Sequence, residues 1–127
     1  MDPIAEAALA EAALAQARQA AMSLPMATEK ISHGEPTWFV DSKKSFALFC
    51  TYHHGMRLGV WCAAPPGIQE MLIESDPDRF YRPPYVGPRG WVGINLDSPF
   101  DYEELLNLLT EAYRHVAPPK YLKMLDN

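Results

Sequence analysis

The residues best equipped for chemistry in this chain gather between Arg79 and Trp91, where Arg79, Arg82 and Arg89 alternate with Tyr81, Tyr85 and Trp91. Guanidinium groups hold phosphates by charge and exposed rings stack on bases, so this mixture suits a nucleic-acid surface. The same residues fit an ordinary fold as well, with Phe80 and Trp91 in the core and the arginines paired to Asp76 and Asp78. Buried aromatics outnumber stacking platforms in proteins generally, which weights that second reading. Lys43 and Lys44 form another basic pair, at a polar turn beside Asp41. A hairpin wing gripping a phosphate backbone wants lysines there, and so does any hairpin that must stay soluble.

Other reactive side chains make weaker constellations. His53 and His54 are adjacent, and neighbours on a strand point to opposite faces. With His33 and His115 elsewhere and no H-E-x-x-H, no metal site is expected. A nucleophilic Cys50 or Cys62 needs a base and an electropositive niche, and both stand among apolar strand residues, so they read as core fillers. Asp97, Asp101, Glu103 and Glu104 sit at a helix start, where the dipole favours acids. Arg114, His115, Lys120 and Lys123 sit near a helix end, where it favours cations. Gly87, Gly90 and Gly93 precede a strand rather than a helix and make no phosphate cradle. No catalytic constellation and no cofactor follow, and a non-enzymatic protein is expected.

Composition narrows the class. The 127 residues carry a net charge of −5, so any phosphate-binding site must gather its positive charge locally. Hydrophobic content of 48% suits a folded globule. No run approaches about 18 uncharged apolar residues, and the alanine-rich start carries Glu6, Glu11 and Arg18, unlike a signal peptide. A single cytoplasmic, monomeric domain without a membrane span is expected over 1–127, with 1–21 as an added helix.

The elements that must position these residues follow in order. Asp2-Pro3 caps a helix whose stripe runs Leu9, Ala10, Ala13, Leu14, Ala17, Ala21 and Leu24, closed by Pro25. Residues 26–35 read as a connecting loop. Short strands are expected at 37–40, 45–52 and 57–63. A two-residue His54-Gly55 turn would put Phe46, Leu48, Cys50 and Tyr52 on one face with Arg57, Gly59 and Trp61. Ala47, Phe49, Thr51 and His53 would share the other with Met56, Leu58, Val60 and Cys62, keeping the cysteines apart. Pro65-Pro66 starts a short helix that Asp76-Pro77 ends. Arg82 to Pro88 is too proline-rich for helix or central strand, and it leads as a rigid arm into the strand 91–96. Ser98-Pro99 opens the last long helix, with Asp101 in capping-box position. Its stripe runs Tyr102, Leu105, Leu106, Leu108, Leu109, Ala112, Tyr113 and Val116 until Pro118-Pro119. The order α-β-β-β-α-β-β-α predicts an α+β two-layer sandwich, with an antiparallel sheet of about five strands and helices on one face.

Several of these stretches together resemble the MmcQ/YjbR family. They are Leu24-Pro25 with Glu29, Lys43-Lys44 before Phe46-Ala47, Asp76-Pro77-Asp78-Arg79-Phe80, Pro83 to Val92, and Ala112 to Pro118 with Lys120. The likeness covers about residues 22–123. It implies a compact cytosolic protein of the YjbR-like, CyaY-like type that binds DNA through a double wing of hairpins, and it brings no catalytic residues. Two functions are carried forward. One is DNA binding through Lys43, Lys44, Arg82 and Arg89, supported by Tyr85 and Trp91. The other is a protein or small ligand held on the uncovered sheet face, with Trp38, Tyr52 and Trp61 as anchors.

Overall fold

The computed structural model describes residues 2–51 and 57–126. Asp2 caps helix α1 (Pro3–Met22), its carboxylate accepting the Ile4 N–H with Pro3 in the first turn. The buried residues of α1 are all alanines (13, 17, 20 and 21), so nothing bulky holds it away from the sheet and the last long helix. Six antiparallel strands follow: β1 (Ala27–Ser32), β2 (Glu35–Val40), β3 (Lys44–Cys50), β4 (Gly59–Cys62), β5 (Phe80–Tyr81) and β6 (Val92–Asn95). They lie in the order β1-β2-β3-β4-β6-β5. Helix α2 (Ile68–Ser75) joins β4 to β5, and α3 (Tyr102–Val116) and α4 (Pro119–Leu125) close the chain. The α+β sandwich stands as expected, with one strand more.

That extra strand is β1, where a loop was expected. Its Thr28-Glu29-Lys30 run is polar because β1 is an edge, and it pairs with β2 through the two-residue turn His33-Gly34. Both turn residues have positive φ (52° and 82°), the conformation that two-residue hairpins require. Helix α3 starts later than Ser98: its cap is Asp101, whose carboxylate accepts the Glu103 N–H.

The β3–β4 pairing has the expected register, Cys50 opposite Gly59 and Ala47 opposite Cys62, although the turn at 52–56 lies outside the described residues. Strict alternation fails at one point. Trp38 pairs with Ala47 and Phe39 with Ser45, leaving Phe46 as the extra residue of a β-bulge. Phe46 therefore turns to the helices, where its ring meets Tyr113 edge-on at 5.6 Å. Leu48, Cys50 and Trp61 remain on the uncovered side, joined by Ser45 instead of Phe46.

Trp38 also belongs to the covered side, at 0% exposure, which corrects its placement as an open-face anchor. Its indole N–H donates to Glu29 Oε1 at 2.8 Å, while Arg18 of α1 donates to both oxygens of the same carboxylate. This clamp ties helix to edge strand, and the Arg18 guanidinium holds the Glu29 carboxyl below its ordinary pKa. Glu29→Ala is expected to cost about 1–3 kcal/mol in urea unfolding at neutral pH, because it orphans a buried indole N–H. Glu29→Gln keeps an acceptor but gives up the charge. The charge's contribution is complete above the ordinary value of 4.5 and is lost as pH falls through the lower folded value. Wild type should therefore lose stability across that acid window more steeply than Glu29→Gln.

Candidate functional site: the uncovered sheet face and its basic margin

The face of the sheet away from α1 and α3 carries a cleft of about 720 Å3. Phe39, Leu48 and Trp61 supply an apolar floor, the β1–β2 turn with His33 forms one wall, and Tyr85, Val86 and Arg89 of the proline-rich arm form the other. Toward β5 the floor ends at Tyr81, whose ring lies over Gly93. A Cβ on Gly93 would stand 2.3 Å from that ring, so only glycine admits it. The Trp61 indole N–H donates to Tyr81 Oη at 2.7 Å, and burial pushes the Tyr81 phenol up to about 12.

The arm is as rigid as its prolines suggest, and the structure supplies the brace. Gln69 of α2 is buried, and its Nε2 donates to the Gly87 carbonyl at 2.9 Å and also to the Trp91 carbonyl. Pro83 is buried, Gly87–Arg89 forms a single 3-10 turn, and Tyr85 rides the tip with φ of 65° and 72% exposure. Trp91 is only 4% exposed, and the Arg89 guanidinium lies over its ring at 5.3 Å.

Three of the four basic residues singled out from sequence come together. Lys43, Lys44 and Arg89, with His115 of α3, line a recess of about 390 Å3 that shares Ser45, Arg89 and Trp91 with the cleft. A neighbouring hollow of about 510 Å3 continues from the two lysines to Lys120. Asp41 lines it too, its carboxyl held below the ordinary value by the Tyr121 hydroxyl and by Lys43 at 3.6 Å. The tight turn Asp41-Ser42, with φ of 53° and 57°, presents the lysines. Arg82 does not line these hollows. It is exposed, with its stem packed on Gly87, where a Cβ would stand 2.7 Å from Arg82 Cγ.

Other candidates have structural work. Arg79 donates to the carbonyls of Asn95 and Pro99 at 2.8 Å. Arg57 forks onto Asp97 at 2.6 and 2.7 Å and holds that carboxyl low, and Arg114 pairs with Asp126 at 2.8 Å. Cys62 is buried on the helix side with its thiol pushed up to about 12, far from a nucleophile's range. Tyr52, His53 and His54 lie outside the described residues. Among the described ones, no three His, Cys, Asp or Glu side chains gather as a metal site would require. Phe39, Ser45 and Leu48 are cleft residues that pattern reading did not single out. Only the bulge explains why Ser45 is among them.

The YjbR family model matches residues 22–115, well over half of the chain. The chain belongs to the YjbR family. This YjbR chain is also similar in fold to the crystal structure of Deinococcus radiodurans protein DR2400, described as a DUF419 domain. The TM-score is 0.67 at 21% identity, over 86% of this chain and 84% of that one. No curated protein matches it significantly. No described helix is long and apolar enough to cross a membrane.

Replacing Gln69 with Leu is expected to cost about 1–3 kcal/mol, because the buried Trp91 carbonyl loses its amide donor while Gly87 keeps only the Gly90 N–H. Urea unfolding should report that loss, and limited trypsin digestion should cut at Arg82 or Arg89 faster than in wild type.

Proposed function

We propose that this YjbR protein is a non-enzymatic binding protein that holds a small ligand in the cleft of its uncovered sheet face. One observation carries the reading: a depression of about 720 Å3 whose floor is largely apolar (Phe39, Leu48 and Trp61, with Thr37 beside Leu48), with Ser32, His33, Glu35, Ser45 and Arg89 also lining it. Ligand sites are concave, largely apolar and of this size, with a few polar groups to fix orientation. The floor is firm. Trp61 is hydrogen-bonded to Tyr81, and Gln69 pins the arm that walls it, so little ordering remains to oppose binding.

A second reading is favoured by a separate observation, the run of Lys43, Lys44, Arg89, His115 and Lys120 along adjoining hollows. In an acidic chain this local gathering of cations suits contact with a DNA backbone, with the Asp41-Ser42 hairpin as one wing. The aromatic floor takes no part in that contact.

The two readings separate experimentally. The neutral fluorescent probe N-phenyl-1-naphthylamine should bind saturably at one site, and Leu48→Trp, which fills the floor, should weaken it at least about tenfold. Binding that Leu48→Trp leaves unchanged removes the cleft reading. For DNA, an electrophoretic titration should show a shift that weakens steeply with salt. Lys43→Ala with Lys44→Ala and Arg89→Ala should abolish it, and Arg82→Ala should spare most of it. No shift at low salt removes the DNA reading.

A further inference from the structure

The cleft is not closed at its β3 end. It meets the basic recess across Ser45, Arg89 and Trp91, which line both. No carboxylate lines the recess, and among the described residues neither Lys44 nor Arg89 is paired with one, in a chain whose acids outnumber its bases. Arg89 is also pre-positioned. Its guanidinium lies over a ring that burial and the Gln69 hydrogen bond to the Trp91 carbonyl hold in place. A stacked guanidinium keeps its N–H edge free, and that planar fork matches the two oxygens of a carboxylate, sulfonate or phosphate group. Unpaired, oriented cations beside an apolar floor make a site with two unlike halves.

We propose that the ligand of the cleft is an amphipathic organic oxyanion, with its apolar body on Phe39, Leu48 and Trp61 and its charged group at Lys43, Lys44 and Arg89. This inference rests on the cleft reading above and adds the chemical class of what the cleft takes. Dimensions agree with it: a floor of three large side chains accepts one or two fused rings or a short alkyl chain. Ser45, at the junction, brings a hydroxyl where a phenyl ring would otherwise stand. Specificity for the anion comes from the charge-assisted hydrogen bonds that Lys44 and Arg89 can give it and that a neutral analogue cannot accept.

Two probes that share an apolar body test this. They are 8-anilinonaphthalene-1-sulfonate and its neutral counterpart N-phenyl-1-naphthylamine, titrated against the intact protein by fluorescence. The sulfonate should bind at least about tenfold more tightly than the neutral probe, and rising salt should weaken the sulfonate alone. Lys43→Ala combined with Lys44→Ala and Arg89→Ala should weaken the sulfonate at least about tenfold more than the neutral probe, which loses only the Arg89 part of the wall. All three side chains are exposed, and a cooperative thermal melt verifies that the variant is folded. Equal affinity for the two probes in wild type overturns the anion inference while the cleft reading stands. So does a triple variant that weakens both probes alike. If Leu48→Trp weakens neither probe, the cleft reading itself falls and takes this inference with it.

Discussion

The candidate site depends on one buried side-chain amide. A segment as rich in proline as the arm at 82–90 has few N–H groups to offer and cannot be recruited into the sheet, so something else must hold it. Gln69 does so from α2, donating from its amide to the carbonyl of Gly87, which opens the 3-10 turn, and to that of Trp91 just beyond it. A buried amide with both donors used is a stringent fastener, because any displacement of the arm leaves polar atoms unpaired in a dry place. The wall of the cleft, the orientation of Arg89 and the seat of Trp91 all follow from that attachment.

Much of the scaffold is legible from local pattern. The Asp2-Pro3 cap, the apolar stripe of α3 and the β3–β4 register each rest on residues a few positions apart, where spacing translates directly into geometry. Legibility ends where a choice is made by distant packing. The β1 strand is polar because it is an edge, and a polar strand is hard to tell from a loop until its partner is known. Phe46 follows the expected alternation in sequence but not in space, since a bulge is a property of the paired ladder and leaves little trace in one strand. Trp38 sits on the helix side, where Glu29 accepts its indole N–H and Arg18 holds Glu29, so the cluster joins residues of three separate elements, α1, β1 and β2.

The basic margin shows the same division. Arg82 and Arg89 are close in sequence and the arm separates their uses, one packed on Gly87 and the other stacked on Trp91. Lys43 and Lys44 lie more than forty residues from Arg89, and the recess brings them together at the end of α3. Charge type is visible in sequence, whereas grouping of charge belongs to topology. An acidic chain can therefore carry a cationic site, with carboxylates committed elsewhere to Arg18, Arg57 and Arg114.

The bulge at Phe46 has one more effect. With regular alternation, a phenyl ring would stand between the two depressions like a raised sill, and each would be a separate, smaller compartment. Inserting one residue exports that ring to the interior and leaves a serine in the doorway. A single step out of register in the ladder thus sets the reach of the whole binding trough.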